Sequence, residues 1–214
     1  MQVTIMRYEI IPVTPLQQNC TLLICPETAT TAIVDPGGEP DRIIAVLKRL
    51  DAHPEMILLT HGHLDHVGAA LQLAASLQLP IIGPHRADAF WLDALPQQAQ
   101  MFGFPPQKAF APDRWLESGN VVNVGQQQLD VLHCPGHTPG HLAFFHRPSA
   151  LAQVGDVLFR GSIGRTDFPR GNHAELLRSI REKLFPLGDQ VRFIPGHGSM
   201  GTLGEERRHN PFLN

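Results

Sequence analysis

Residues 60–66 read Thr-His-Gly-His-Leu-Asp-His, which crowds three histidines and an aspartate into one heptapeptide. Imidazole and carboxylate are donors that zinc, iron and manganese accept. On an extended chain, residues two apart project to the same side, so His61 and His63 can point at one ion. A helix starting near Asp65 would swing Asp65 and His66 toward a second point a few ångströms further on. One ion cannot easily take all four donors. Two ions about 3.5–4 Å apart can, in the manner of dinuclear hydrolase sites.

Three further donors sit in similar settings. His137 lies in "CPGHTPGH", Asp156 in "QVGDVLF" and His197 in "IPGHG", each after an apolar run and next to glycine. Glycine lets the backbone turn sharply and approach a site closely. The set suits His61, His63 and His137 on one ion, Asp65, His66 and His197 on the other, and Asp156 between them. Two divalent metal ions per chain are therefore expected, with Asp65 and Asp156 as the catalytic carboxylates. Zinc is the expected metal; iron and manganese suit the same donors. The remaining histidines read as structural. His53, His85, His173 and His209 are expected on the surface, and His133, His141 and His146 in or beside strands, with a supporting role behind the ligands open for His141. Cys134 reads as a buried, inert thiol.

The elements that must position these residues follow from apolar spacing. Strands are expected over 3–13, 20–25, 30–35, 56–60, 80–84, 121–124, 128–133, 141–146, 151–155 and 191–195. Helices are expected over 40–50, with Ile43, Val46, Leu47 and Leu50 on one face, and over 65–78, with Val67, Leu71 and Ala74 on one side. Two more are expected over 173–184 and 204–210. Residues 86–118, rich in aromatics and proline, read as short helices and loops, either a flap over a site or an irregular packing layer. The order suggests two similar halves, each a sheet with helices outside it.

Composition narrows the partners. A chain of 214 residues with a net charge of −3 has no basic excess to advertise nucleic acid. Neither a secretory signal nor an apolar run of about 18 residues is apparent, so no membrane association is expected. Three cysteines without a Cys-x-x-Cys pair favour a reducing compartment, and a cytoplasmic location is expected. Oligomeric state is not legible.

With these residues in place the chain resembles the metallo-β-lactamase-fold hydrolases. Their pattern is Thr-His-x-His-x-Asp-His, a Pro-Gly-His turn, a Gly-Asp and a final Gly-His; here "THGHLDH", "PGHTPGH", "VGDVLF" and "IPGHG". The resemblance covers nearly the whole chain. It implies an α/β fold, a four-layer αβ/βα sandwich of two mixed sheets with helices on the outer faces.

Within that superfamily the chain looks like a type II glyoxalase, a hydroxyacylglutathione hydrolase, of the short bacterial accessory form. The pointer is "GDVLFRGSIGRTDF" (155–168), in which Arg165 matches a basic residue that contacts glutathione in the family. The resemblance implies a small-molecule glutathione thioester such as S-lactoylglutathione, cleaved to a 2-hydroxy acid and glutathione in methylglyoxal detoxification. It implies attack by a hydroxide shared between two cations, since a bound metal lowers the pKa of water from 15.7 to about 7. Longer type II glyoxalases add a C-terminal helical domain. The closing "GEERRHNPFLN" cannot rebuild it, so one domain over 1–214 and a broader thioester preference are expected. "GRTDF" also resembles the persulfide dioxygenases of the superfamily, which hold one iron on the equivalents of His61, His137 and Asp156. Those usually carry Pro-Ala-His where this chain has Pro-Gly-His, which favours the hydrolase.

Overall fold

Successive residues along one strand enter different cores, the period-two rule that a sheet buried on both faces imposes. The structure, a computed structural model, describes residues 5–213. Leu22, Ile24, Ile33 and Ile57 pack under helices, while their neighbours Leu23, Ala32 and Leu58 face a second sheet. Ala143, Phe145, Ala152 and Phe193 pack under a second set of helices, while Leu142, Phe144, Leu151 and Ile194 face the first sheet. Helices, sheet, sheet, helices: this is the four-layer αβ/βα arrangement expected from the sequence.

The first sheet orders β1 (Arg7–Val13), β2 (Gln18–Ile24), β3 (Thr30–Val34), β4 (His53–Leu58) and β5 (Ile81–Ile82) side by side. β1, β2 and β3 pair antiparallel, and β3, β4 and β5 pair parallel. The second sheet contains β6 (Val121–Val124), β7 (Gln127–His133), β8 (Leu142–His146) and β9 (Leu151–Gly155). Beyond a small hairpin of β10 (Leu158–Phe159) and β11 (Ser162–Ile163), it is completed by β12 (Arg192–Pro195) and β13 (Gly201–Thr202), in the order β13-β12-β9-β8-β7-β6. Only β9 and β12 run parallel in it. Both sheets are mixed, as expected. Of the first expected strand, residues 3 and 4 lie outside the described residues.

Between β3 and β4 runs α1 (Pro40–Arg49), with Pro40 at its first position, Asp41 in the first turn and Lys48 and Arg49 in the last. That placement suits both the missing proline N–H and the helix dipole. Ile43 and Leu47 are its buried residues, as the spacing requires.

The helix expected over 65–78 is two helices, α2 (Leu64–Val67) and α3 (Ala70–Leu77). A side chain at Gly68 would come within 2.5 Å of the Gly37 carbonyl oxygen, and the Ala69 N–H donates to the Pro36 carbonyl instead of continuing the helix. Ala70 and Leu73 are the fully buried residues of α3, while Leu71 and Ala74 are half-buried against the same core. The aromatic segment holds a 3-10 turn (Arg86–Asp88), α4 (Ala89–Asp93) and α5 (Leu95–Phe102).

In the second half, α6 (His173–Ser179) begins at Asn172, whose side chain caps the Glu175 N–H. A π-helical turn over Ile180–Leu184 follows directly. α7 (Leu203–His209) is capped by Thr202. No helix among the described residues is long and apolar enough to cross a membrane.

Candidate metal centre

The seven donors expected from the sequence stand at one end of the two sheets, each just beyond a strand. The loop after β4 carries His61 and His63, and α2 carries Asp65 and His66. His137 precedes β8, Asp156 follows β9 and His197 follows β12. The sheets are tied together there. The Asn19 amide of β2 donates to the Pro195 and Gly198 carbonyls, and its N–H to the Gly196 carbonyl, which fixes the His197 loop against the first sheet.

Two clusters result. His63 Nδ1 lies 3.1 Å from His61 Nε2 and 3.0 Å from His137 Nε2. His197 Nε2 lies 3.1 Å, and His66 Nε2 3.7 Å, from Asp65 Oδ2. Asp156 stands between the clusters, with Oδ1 3.4 Å from His66 Nε2 and Oδ2 3.6 Å from His137 Nε2 and 3.7 Å from His197 Nε2. The ligand atoms of each triad fall within 4.8 Å of one another, a spacing one cation can span.

Hydrogen bonds behind the rings decide which nitrogen faces inward. The Nδ1 atoms of His137 and His197 meet the carbonyl oxygens of Arg165 at 2.7 Å and Leu16 at 3.1 Å. A carbonyl only accepts, so both Nδ1 atoms carry the proton. His66 Nδ1 meets the Asp35 carboxylate at 3.0 Å. His61 Nδ1 meets the Thr60 hydroxyl at 3.0 Å, and that hydroxyl donates to Asp35 at 2.6 Å. Four Nε2 lone pairs are thereby aimed at the two clusters. His66 Nε2 and Asp156 Oδ1 are buried without a hydrogen-bond partner among the described residues. Buried polar atoms are ordinarily satisfied. Convergent lone pairs, orphaned acceptors and a carboxylate between two triads fit divalent cations.

The electrostatics differ between the clusters. Burial and neighbouring imidazoles hold His61 and His63 well below the ordinary histidine value, and burial lowers His137 as well. Burial opposes the charged form of His66 too, but the Asp156 and Asp65 carboxylates outweigh it and raise its pKa. His197 is raised in the same way, against burial, by its bond to Asp65. Burial would raise Asp156, yet His66, His137 and His197 hold its carboxyl far below the usual range.

Several supports were not legible as site residues. Asp35, fully buried at the end of β3, accepts from the Thr60 N–H and hydroxyl and from His66. Its one signal was its position at the carboxyl end of a strand, as in the other donor loops. Asp88 accepts from the N–H groups of Gly62 and Gly140 and from the Thr138 hydroxyl, which joins the loop of His61 to the loop of His137. Burial pushes its pKa up to about 6. His141 takes the supporting role left open for it: its Nε2 accepts from the Asp156 N–H at 3.0 Å, and its ring stacks on His61. Gly155 is left-handed at φ 49, and a side chain there would strike His141 and Thr60 at 2.6 Å.

Other expectations met mixed outcomes. His53, His173 and His209 are exposed. His85, expected on the surface, is half-buried; it stacks on His133 at 4.2 Å and accepts from the Ala87 N–H. Cys134 is buried, and burial pushes its thiol up to about 12.

A cavity of about 830 Å³ opens beside the clusters, lined by His63, Asp65, His137, Asp156 and His197 at its floor. Trp91 and Phe168 stand edge-on to the His63 ring at 4.5 and 5.0 Å. The aromatic segment thus supplies one wall of the cavity. Arg165 lines it as well, with its guanidinium bonded to Asp167 at 2.9 and 2.7 Å.

Residues 13–197 match the family model described as the metallo-beta-lactamase superfamily. Hydroxyacylglutathione hydrolase GloC of Haemophilus influenzae is 51% identical over 210 residues, which cover 98% of this chain and 99% of that protein. The crystal structure of BLEG-1 B3 metallo-beta-lactamase matches with a TM-score of 0.89 at 37% identity, over 97% of this chain and 99% of that one. TTHA1623 in a di-iron-bound form matches with a TM-score of 0.87 at 39% identity, over 96% of this chain and 100% of that one.

Proposed function

The chain belongs to the metallo-beta-lactamase superfamily, and on that premise we propose that it hydrolyses glutathione thioesters such as S-lactoylglutathione, releasing a 2-hydroxy acid and glutathione. The observation that carries the reading is the pair of triads with Asp156 between them. The similarity to a hydroxyacylglutathione hydrolase over the length of both chains supports the substrate class. In this reading His61, His63 and His137 would hold one divalent cation, Asp65, His66 and His197 would hold a second, and Asp156 stands between the two sets of ligands. Zinc is the metal of choice, although the di-iron form of a similar protein keeps iron open.

Such cations, when bound, supply positive charge against a thioester carbonyl and ionise water near neutral pH. The chain's residues do the rest. Asp35, Thr60, Arg165 and Leu16 hold the protons of the four Nδ1 atoms away from the site, so each inward nitrogen stays a lone pair. Asp65 and Asp156 present carboxylate oxygens to the cavity, where they would orient an attacking water by accepting its hydrogen bond. Trp91 and Phe168 exclude water from the face of His63. Arg165 orients a substrate carboxylate if it exchanges Asp167 for it. The buried free cysteines suit a cytoplasmic setting.

A persulfide dioxygenase would use His61, His137 and Asp156 around one iron. The fully formed second triad supports the hydrolase instead. The test is Asp156→Asn, followed by metal analysis and by parallel thiol-release and oxygen-uptake assays. Metal content and hydrolysis should fall together by roughly two orders of magnitude or more. Full metal at full rate, or oxygen uptake with glutathione persulfide in the unaltered protein, would contradict the reading.

A further inference from the structure

Two chemically different sets of residues line the cavity above the clusters. One set is apolar: Trp91, Met101, Phe102 and Phe104. Residues 94–104 carry no charged side chain at all. Met101 and Phe102 are 76% and 53% exposed, large apolar groups left facing water at the cavity mouth. The β10–β11 hairpin and the loop after it bring Arg160 and Arg165 to the same cavity. Their states differ. The Arg165 guanidinium is held by Asp167 through two bonds and lies over the Phe168 ring at 4.4 Å. Arg160 is exposed and has neither an ion pair nor a hydrogen bond with any described residue.

We propose that this cavity sorts a thioester by its two halves: an apolar acyl group lies on the Met101–Phe102 face, and a carboxylate of the thiol half pairs with Arg160. The inference rests on the thioesterase reading and deepens it by naming the substrate class. A lactoyl group offers one methyl and a hydroxyl to an uncharged wall and leaves most of it wet. An apolar acyl chain of about six to eight carbons would cover that wall, and each methylene removed from water adds to binding. The cavity volume of about 830 Å³ lies in the range of roughly 300–1,000 Å³ usual for small-molecule sites. Glutathione contributes two carboxylates. Arg160 can meet one without first breaking an existing pair, which Arg165 cannot.

The test uses the metal-loaded enzyme and two thioethers it cannot hydrolyse, S-hexylglutathione and S-methylglutathione, with dissociation constants measured by calorimetry. The hexyl compound should bind at least about tenfold more tightly. Met101→Ser with Phe102→Ser should remove most of that difference, and Met101→Ser alone should remove part of it. Both side chains are exposed, so melting curves should stay close to those of the unaltered protein. Arg160→Ala should weaken both thioethers by a similar factor, up to about fivefold, and more than Arg165→Ala does. Among substrates, hexanoylglutathione should exceed lactoylglutathione in kcat/KM. Equal affinity for the two thioethers, or a hexyl preference that survives the double variant, overturns the acyl assignment. An Arg160→Ala variant with unchanged affinities overturns the carboxylate assignment. Hexyl preference without hydrolysis of any thioester would instead count against the hydrolase reading alone.

Discussion

Asp35 and His66 form a fully buried pair, with Oδ2 of the carboxylate 3.0 Å from Nδ1 of the ring. The same carboxylate takes the Thr60 hydroxyl at 2.6 Å, and that hydroxyl meets His61 Nδ1. One residue therefore fixes a ring in each triad. Asp35→Asn puts an amide where only acceptors fit. Metal affinity should fall roughly 10–100-fold at both positions, as for other residues that orient ligating histidines. Competition with a chromophoric chelator measures it. Unchanged affinity at either position would show that Asp35 does not set that ring.

Acid should empty the two triads in a fixed order. Burial and neighbouring imidazoles lower His61 and His63, and burial lowers His137, so these rings resist protons. Carboxylate neighbours outweigh burial and raise His66 and His197, so these accept protons at a higher pH. Protons compete with metal for the same lone pairs. As pH falls, the Asp65–His66–His197 triad should lose its metal first, and content should pass through a plateau near one ion per chain. Dialysis across a pH series with elemental analysis reads this directly. Simultaneous loss, without a plateau, contradicts the assigned asymmetry.

Asp88 accepts three hydrogen bonds that join two ligand loops. Above its raised value of about 6 the carboxylate is ionised and can accept all three. In Asp88→Asn one N–H must face another. A cost of about 1–3 kcal/mol is expected, seen as an earlier urea midpoint, together with weaker metal at His61, His63 and His137. Wild-type stability with wild-type metal content would remove Asp88 from this role.

Gly196 leaves no room for a side chain. A methyl there would meet Asp156 Oδ1 at 2.0 Å and His66 Cε1 at 2.6 Å. Gly196→Ala should keep the fold, judged by circular dichroism, and lose most of the metal of the second triad. Full occupancy in that variant would mean that the β12 loop yields more easily than its bonds to Asn19 imply.

The layers and the donor loops were legible because they rest on local signals. β6 falls where alternation puts it, over Val121–Val124. Ile43 and Leu47 are buried on α1 as their spacing requires. The seven donors lay in short glycine-flanked runs that need no distant partner to be recognised. What was missed depends on contacts between segments remote in sequence. At the split between α2 and α3 the Ala69 N–H bonds the Pro36 carbonyl, a partner remote in sequence. Asp35 and Asp88 work through partners 25 to 52 residues away; Asp35 was marked only by its place at the end of β3, and nothing around Asp88 sets it apart from a surface charge. The β10–β11 hairpin has two residues per strand, too few to show a period.

In the proposed reaction two cations held by these seven side chains drive thioester cleavage. Its most direct test is anaerobic purification, elemental analysis, chelator stripping and stepwise reconstitution, with thiol release from S-lactoylglutathione followed at each step. The expected outcome is close to two metal ions per chain, loss of hydrolysis on stripping, and full recovery only as the second equivalent is restored, all without oxygen. Full hydrolysis by the stripped protein, or recovery complete at one equivalent, would contradict it.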